Sequence, residues 1–224
     1  MFALLDVLLF TLTQPRASAI RIYDRLAPQY DRLHRRWLRV GGSETVAALQ
    51  GCLAAELRPG IRILDAGCGT GALGRWIMAH EASASLTLLD AAPGMLKRTQ
   101  TIPAQRVHGD LLMLPFPTGQ FDIVTCAWAL ETTGNPDAAF SELYRVVAPG
   151  GLLCCCFCTE PGTWGASVRS TPSRFSITHF FGGRFLAADY SAGLNGGRAR
   201  RMQFHDGLST FICHRKLATA AAGR

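Results

Sequence analysis

The chain has 224 residues, of which 48% are hydrophobic and 17% charged, and a formal net charge of +7. That length supports one well-buried domain, and the composition excludes a disordered or fibrous chain. The positive charge is almost all arginine, with Lys97 and Lys216 the two lysines. Arg16, Arg21, Arg25, Arg32, Arg35, Arg36 and Arg39 crowd the beginning of the chain. Such a stretch suits an anionic membrane face, an acidic ligand or a plain solvated helix face. No zinc knuckle, RNA-binding aromatic motif or helix-turn-helix pattern occurs, so no nucleic-acid partner is expected.

Residues 1–12 form a short, mostly apolar stretch interrupted by Asp6. They are too short to cross a bilayer, which takes about 20 apolar residues, and lack the basic start and cleavage site of a signal peptide. They read as a helix over the site or one lying flat on a membrane. Residues 1–58 are thus expected to form a helical segment covering the site, ahead of a core at 59–217 and a disordered tail at 218–224.

From residue 61, apolar runs alternate with helix-like stretches. Strands are expected at 61–66, 86–90, 106–108, 121–130 and 152–158, and helices at 72–80, from 93, and at 137–147, where Pro149-Gly150-Gly151 stops the last. The pattern predicts an α/β, Rossmann-like, mostly parallel sheet with helices on both faces. Residues 159–184 differ: they are rich in Gly, Ser, Thr and Pro, with Trp164, Phe175, Phe180 and Phe181 expected to help roof the site. Segments 200–205 and 208–214 flank Asp206-Gly207 and read as a C-terminal antiparallel hairpin that completes seven strands.

Of the eight cysteines, Cys154, Cys155, Cys156 and Cys158 lie in one apolar run. Alternate residues of a strand face opposite ways, and neighbours on one strand lack the geometry to pair. The spacing also lacks the paired knuckles of a structural zinc site. Reduced thiols in a cytoplasmic protein are expected, with no metal.

Ile63-Leu64-Asp65-Ala66-Gly67-Cys68-Gly69-Thr70-Gly71 is a strand delivering the chain to a glycine turn, where backbone can approach a ligand closely. Gly67, Gly69 and Ala72 also satisfy a relaxed dinucleotide fingerprint. Asp65 separates the two readings: a carboxylate there repels a pyrophosphate but suits the ammonium of S-adenosylmethionine (SAM). Asp90, ending the second strand, can accept both hydroxyls of a ribose. Asp110, in Gly109-Asp110-Leu111-Leu112, can accept from an adenine amino group. Singly, each acid is as easily a turn or cap residue; together, at successive strand tips beside glycines, they point to adenosine.

These motifs, with Leu114-Pro115-Phe116, Phe121-Asp122-Ile123-Val124 and the segment Tyr144 to Gly151, resemble those of class I SAM-dependent methyltransferases. The group containing the ubiquinone and menaquinone C-methyltransferases is the most similar, and Tyr23-Asp24-Arg25-Leu26-Ala27-Pro28-Gln29-Tyr30-Asp31 resembles its N-terminal tyrosine-acid segment, which folds over the cofactor. The resemblance implies SAM as cofactor, with Asp65, Gly67, Cys68, Gly69 and Gly71 around the methionine end. It places Asp90 and Ala91 at the ribose, Gly109, Asp110 and Leu111 at the adenine, and Met95 against the adenosine. Ala127 would line the methyl donor and Tyr30 close from above. The chain departs from the pattern at Leu130-Glu131-Thr132, where many relatives carry Leu-Glu-His, and after the fifth strand, where no acceptor signature occurs.

Methyl transfer from a sulfonium needs alignment and exclusion of water, and a general base only for an acidic, protonated acceptor. Tyr23, Tyr30, Glu131, His179 and His205 are the candidates. The apolar N-terminus and the aromatic insert favour a small hydrophobic or lipid-like acceptor such as a quinone, a fatty-acid derivative or a polyketide. Phospholipid N-methylation, a non-catalytic SAM-binding accessory role and an NAD-linked oxidoreductase are the alternatives. Peripheral contact with the inner membrane face through residues 1–39 is expected alongside a cytoplasmic location.

Overall fold

The computed structural model describes residues 19–180, 183–187, 190 and 198–218; the stretch at 1–12 and the tail from 219 lie outside them. Helices α1 (Ala19–Leu26) and α2 (Tyr30–Trp37) lead through a π-helical turn (Leu38–Gly42) into α3 (Ser43–Ala54). There follow β1 (Arg62–Ala66), α4 (Ala72–His80), β2 (Ser85–Asp90), α5 (Pro93–Lys97), β3 (Gln105–His108) and β4 (Phe121–Ala127). A 3-10 turn (Leu130–Thr132), α6 (Pro136–Val146), β5 (Val147–Cys158), α7 (Trp164–Phe180), β6 (Arg198–Phe204) and β7 (Ser209–Arg215) complete the order.

The seven strands form one sheet in the order β3-β2-β1-β4-β5-β7-β6. Neighbours from β3 to β5 pair in parallel, and β7 runs antiparallel to both β5 and β6. This is the expected mostly parallel sheet with its C-terminal hairpin. Apolar side chains fill both faces: Leu64, Val124, Leu153, Cys155 and Phe157 pack with α6 on one, and Ile63, Ile123, Cys154 and Cys156 with Leu49, Leu53 and Ile77 on the other. Strands buried on both sides must be apolar at nearly every position, which is why their runs were continuous.

Three boundaries differ from expectation. β4 stops at Ala127 because Trp128 takes φ 62°, a left-handed conformation no strand continues. β5 starts at Val147 because Phe121 pairs with Val147 before a bulge resets the register at Ile123–Leu152. Within the Gly/Ser/Thr/Pro-rich insert stands a 17-residue helix, α7, whose Trp164 is 83% exposed.

Two latches hold the N-terminal helices on the core. The Gly94 N–H, in the first turn of α5, donates to Asp24 Oδ1 at 2.6 Å, and Thr70 Oγ1 donates to Asp31 Oδ1 at 2.5 Å. Helix α3 is tied to β7 by a Thr45–Ser209 hydroxyl pair at 2.7 Å.

Candidate active site

β1, β2 and β3 are adjacent and parallel, so their carboxyl ends open on one edge of the sheet, where ligands bind in such folds. After β1 the chain turns sharply: Gly67, Gly69 and Gly71 have φ of 72°, 54° and 82°. The N–H groups of Gly67 and Cys68 donate to Leu89 O, extending the pairing with β2 into the turn. A Cβ on Gly67 would come within 2.4 Å of Ala129 Cβ, so this position excludes any side chain.

Asp90 braces that turn. Its Oδ2 accepts from Gly69 N–H at 2.8 Å and its Oδ1 from Ala92 N–H at 2.9 Å. A carboxylate offers about four lone-pair sites, so capacity remains for a ligand's hydroxyl. Burial raises its pKa, against the pull of the backbone donors.

Asp65 is 2% exposed. Thr125 Oγ1 donates to its Oδ1 at 3.0 Å, while Oδ2 is buried without a partner. Desolvation lifts its pKa to about 7, against the Thr125 hydrogen bond and with help from Asp90. An orphaned carboxylate oxygen in such a place calls for a cation.

The edge holds a cleft with two lobes. The wider, of about 440 Å³, is lined by Asp90, Ala91, Met95, Asp110 and Leu111 and extends past Tyr23 to Arg184. The narrower, of about 310 Å³, holds Asp65, Cys68, Thr70, Arg75 and His34. Tyr30, Gly67, Gly69, Ala127 and Trp128 line both. A carboxylate and a guanidinium in the narrow lobe match the ammonium and carboxylate of a free amino acid, and the wide lobe offers hydroxyl and amino acceptors for a nucleoside. These residues fit SAM. They do not fit a pyrophosphate, which would have to lie against the buried Asp65.

Tyr23, Tyr30, Asp65, Gly67, Cys68, Gly69, Asp90, Ala91, Met95, Asp110, Leu111 and Ala127 are thus brought together. Gly71 and Gly109 are not among the lining residues. A Cβ on Gly71 would meet Ile102 Cδ1 at 2.4 Å and one on Gly109 would meet Leu89 Cδ1 at 3.0 Å, so both serve packing. Glu131 stands behind the wall, 3% exposed: its Oε1 accepts from Cys158 N–H at 3.1 Å and its Oε2 has no partner. Burial lifts its pKa to about 7.

Burial holds the phenols of Tyr23 and Tyr30 well above the usual tyrosine range, and nearby acids add to it, so both remain hydrogen-bond donors at neutral pH. His205 sits in the β6–β7 turn, 3.9 Å from Glu44 and away from the lining. His179 lies on α7, and its side chain is outside the described set. Among the described residues the insert reaches the cleft through Arg184; Trp164 and Phe175 are exposed, and Phe181 and the side chain of Phe180 lie outside the described set.

Sequence reasoning passed over Trp128, His34, Thr70 and Arg75. Trp128 combines its strained backbone with a ring packed edge-on against Trp37, at 5.2 Å between centroids, and a buried, unpartnered Nε1. His34 stacks on Tyr30 at 5.6 Å, and burial lowers its pKa against the opposing pull of Asp31. The four-residue spacing of Tyr30 and His34 on one helix was the available signal.

The Methyltransferase domain family profile matches residues 64–155. A demethylmenaquinone methyltransferase of Listeria monocytogenes is 30% identical over 190 residues, 76% of this chain and 74% of that protein. The chain belongs to the class I SAM-dependent methyltransferases. A demethylmenaquinone methyltransferase of Thermus thermophilus is 36% identical over 138 residues, which span 59% of this chain and 62% of that relative's length. Among solved structures, a SAM-dependent methyltransferase from Thermotoga maritima superposes with a TM-score of 0.62 at 17% identity, covering 88% of this chain and 99% of that one, which supports the fold.

In this methyltransferase the cofactor is SAM, and the cleft lies between the glycine turn and the tips of β2 and β3. The latches at Asp24 and Asp31 hold the helices that carry Tyr23 and Tyr30, whose rings lie 5.9 Å apart and edge to face; Tyr23 lines the wide lobe and Tyr30 both.

Proposed function

We propose that the protein methylates a small apolar acceptor, a quinone being the first candidate, in the outer part of the wide lobe. Bound SAM would supply an activated methyl carbon, so the protein's share is to align the acceptor and exclude water. The lobe's wall chemistry carries the reading. Beyond the adenosine residues its lining includes Ala19, Ile20, Ala127, Trp128 and Ala129, with Thr132, Thr133 and Arg184 as polar groups. An apolar body with one oxygen that Arg184 or Tyr23 could hold suits that surface. The relatives named as demethylmenaquinone methyltransferases, one of which aligns over 76% of this chain, support a quinone; a relative named as a malonyl-[acyl-carrier protein] O-methyltransferase, 36% identical over 50% of this chain, supports a fatty-acid derivative as the second candidate.

Tyr23 lines the lobe as a protonated phenol and donates to an acceptor oxygen. Glu131, behind the wall with its pKa raised to about 7 by burial, is close enough to Tyr23 to influence its titration, so it would serve an acidic acceptor as a base only through that phenol. At the rim, Ile20, Leu112 and Met113 are exposed, and the arginines of α1 and α2 lie on the same N-terminal segment. This combination supports loading of the acceptor from an anionic membrane face. Among the described residues no helix is long and apolar enough to cross a membrane.

The test incubates purified protein and SAM with a short-chain demethylmenaquinol, a phospholipid and a panel of water-soluble amines and acids, reading S-adenosylhomocysteine and product mass. Methylation of the quinol is expected. Turnover confined to water-soluble acceptors would sink the proposal, and SAM binding without turnover on any of them would favour an accessory role.

A further inference from the structure

Away from the cleft, three cysteines from three elements converge. Cys52 lies on α3, and Cys154 on β5 sits directly opposite Cys213 on β7, on the sheet face that α3 covers. Cys52 Sγ stands 3.0 Å from Cys213 Sγ and 4.0 Å from Cys154 Sγ, and all three sulfurs lie within 4.8 Å of one another. Cys52 and Cys213 are half-buried, so solvent reaches the cluster. Arg200 faces Cys213 across the β6–β7 pair, and Arg215, ion-paired with Glu56, follows two residues along β7. The thiolate is the form that ligates metal.

We propose that Cys52, Cys154 and Cys213 form a binding site for one soft, thiophilic metal ion, Zn(II) in the first instance. Thiolates at about 2.3 Å from a tetrahedral zinc lie about 3.8 Å apart, a separation that the sulfurs here bracket. Three thiolates exceed a divalent ion's charge by one, and Arg200, opposite Cys213, offsets the excess. The half-exposed side leaves the fourth position to water. Uptake releases thiol protons and clamps α3 to the two strands, so the ion stabilises the fold. None of the three cysteines lines the cofactor cleft, so this site is independent of the acceptor proposed above.

The experiment titrates reduced, metal-free, full-length protein with Cd(II), whose thiolate charge-transfer absorption reports sulfur ligation, and with Zn(II) against a chromophoric chelator. One equivalent of each is expected, together with a raised Tm. Cys52→Ala places a good helix former at a half-exposed helical position; it should abolish both the band and the Tm rise. Cys126→Ala, in β4 outside the cluster, should keep them. No band at one equivalent, a band that survives in Cys52→Ala, or closure of a Cys52–Cys213 disulfide in place of metal uptake overturns the proposal. SAM affinity, measured on the same samples, should be unchanged by Cys52→Ala.

Discussion

Asp65→Asn probes the centre of the cofactor site. In the free protein desolvation holds the Asp65 carboxyl at about 7. An acid with a raised folded pKa contributes fully to stability below its unfolded pKa, and that contribution is lost as pH rises through the folded value. Here the rise from 3.8 to about 7 corresponds to about 4 kcal/mol, lost between about pH 4 and about pH 7. An ammonium against Oδ2 reverses the preference, so SAM binding below neutrality must expel a proton from Asp65. With the ionised form as the binding form, affinity should rise roughly 20-fold from about pH 5.5 to about pH 7.5. Asparagine cannot ionise. The variant should lose the slope that Asp65 contributes and bind roughly 10- to 100-fold more weakly at the upper end, the worth of a charged hydrogen bond at about 1.5–3 kcal/mol. Calorimetric titration in two buffers of different ionisation enthalpy reads affinity and proton release together, and comparison with the parent separates Asp65 from His34. Parental affinity in the variant, or an unchanged slope, would refute the reasoning.

Gly67→Ala forces a Cβ to within 2.4 Å of Ala129 Cβ at a φ of 72°, so it should cost about 2–4 kcal/mol and disable SAM binding, read by thermal unfolding with and without SAM. Asp24→Ala removes the acceptor for Gly94 N–H; a loss of about 0.5–2 kcal/mol should appear as faster hydrogen exchange in α1 and α2, with the sheet unaffected. Glu131→Gln removes an acid whose pKa is raised to about 7 by burial, so the variant should unfold at a higher temperature than the parent above pH 7 and match it near pH 4. If Glu131 serves as the base, the same variant also loses methyl transfer to an acidic acceptor while retaining SAM affinity.

The sheet was legible because β1, β2, β4 and β5 are apolar on both faces, and because β1 and β2 run into acids and glycines, as Asp65-Ala66-Gly67 and Asp90-Ala91 show; the short, polar β3 was legible only from the Gly109-Asp110 that follows it. Local sequence dictates these features. The wall residues at strand tips were legible for the same reason. Contacts made by tertiary folding were not: Thr70 meets Asp31 across 39 positions, and Cys52 meets Cys213 across 161. Spacing rules for metal knuckles look for ligands close in sequence and miss a set drawn from a helix and two strands. Trp128 was read as strand because its apolar neighbours continue the run, whereas its φ is imposed by the turn into Leu130–Thr132. His205 entered the candidate set by residue type alone. The helix at Trp164–Phe180 was hidden by a composition that normally breaks helices.

The position of β7 bears on biosynthesis. It is late in the chain yet interior in the sheet, so β5 cannot complete its ladder until the C-terminal strand has been made and inserted beside it. In the meantime the uncharged run 152–158 presents a bare edge to the crowded cell, the kind of surface that templates pairing with other chains. Nascent copies therefore depend on shielding of that edge, and a chain cut before Ser209 would keep it open permanently.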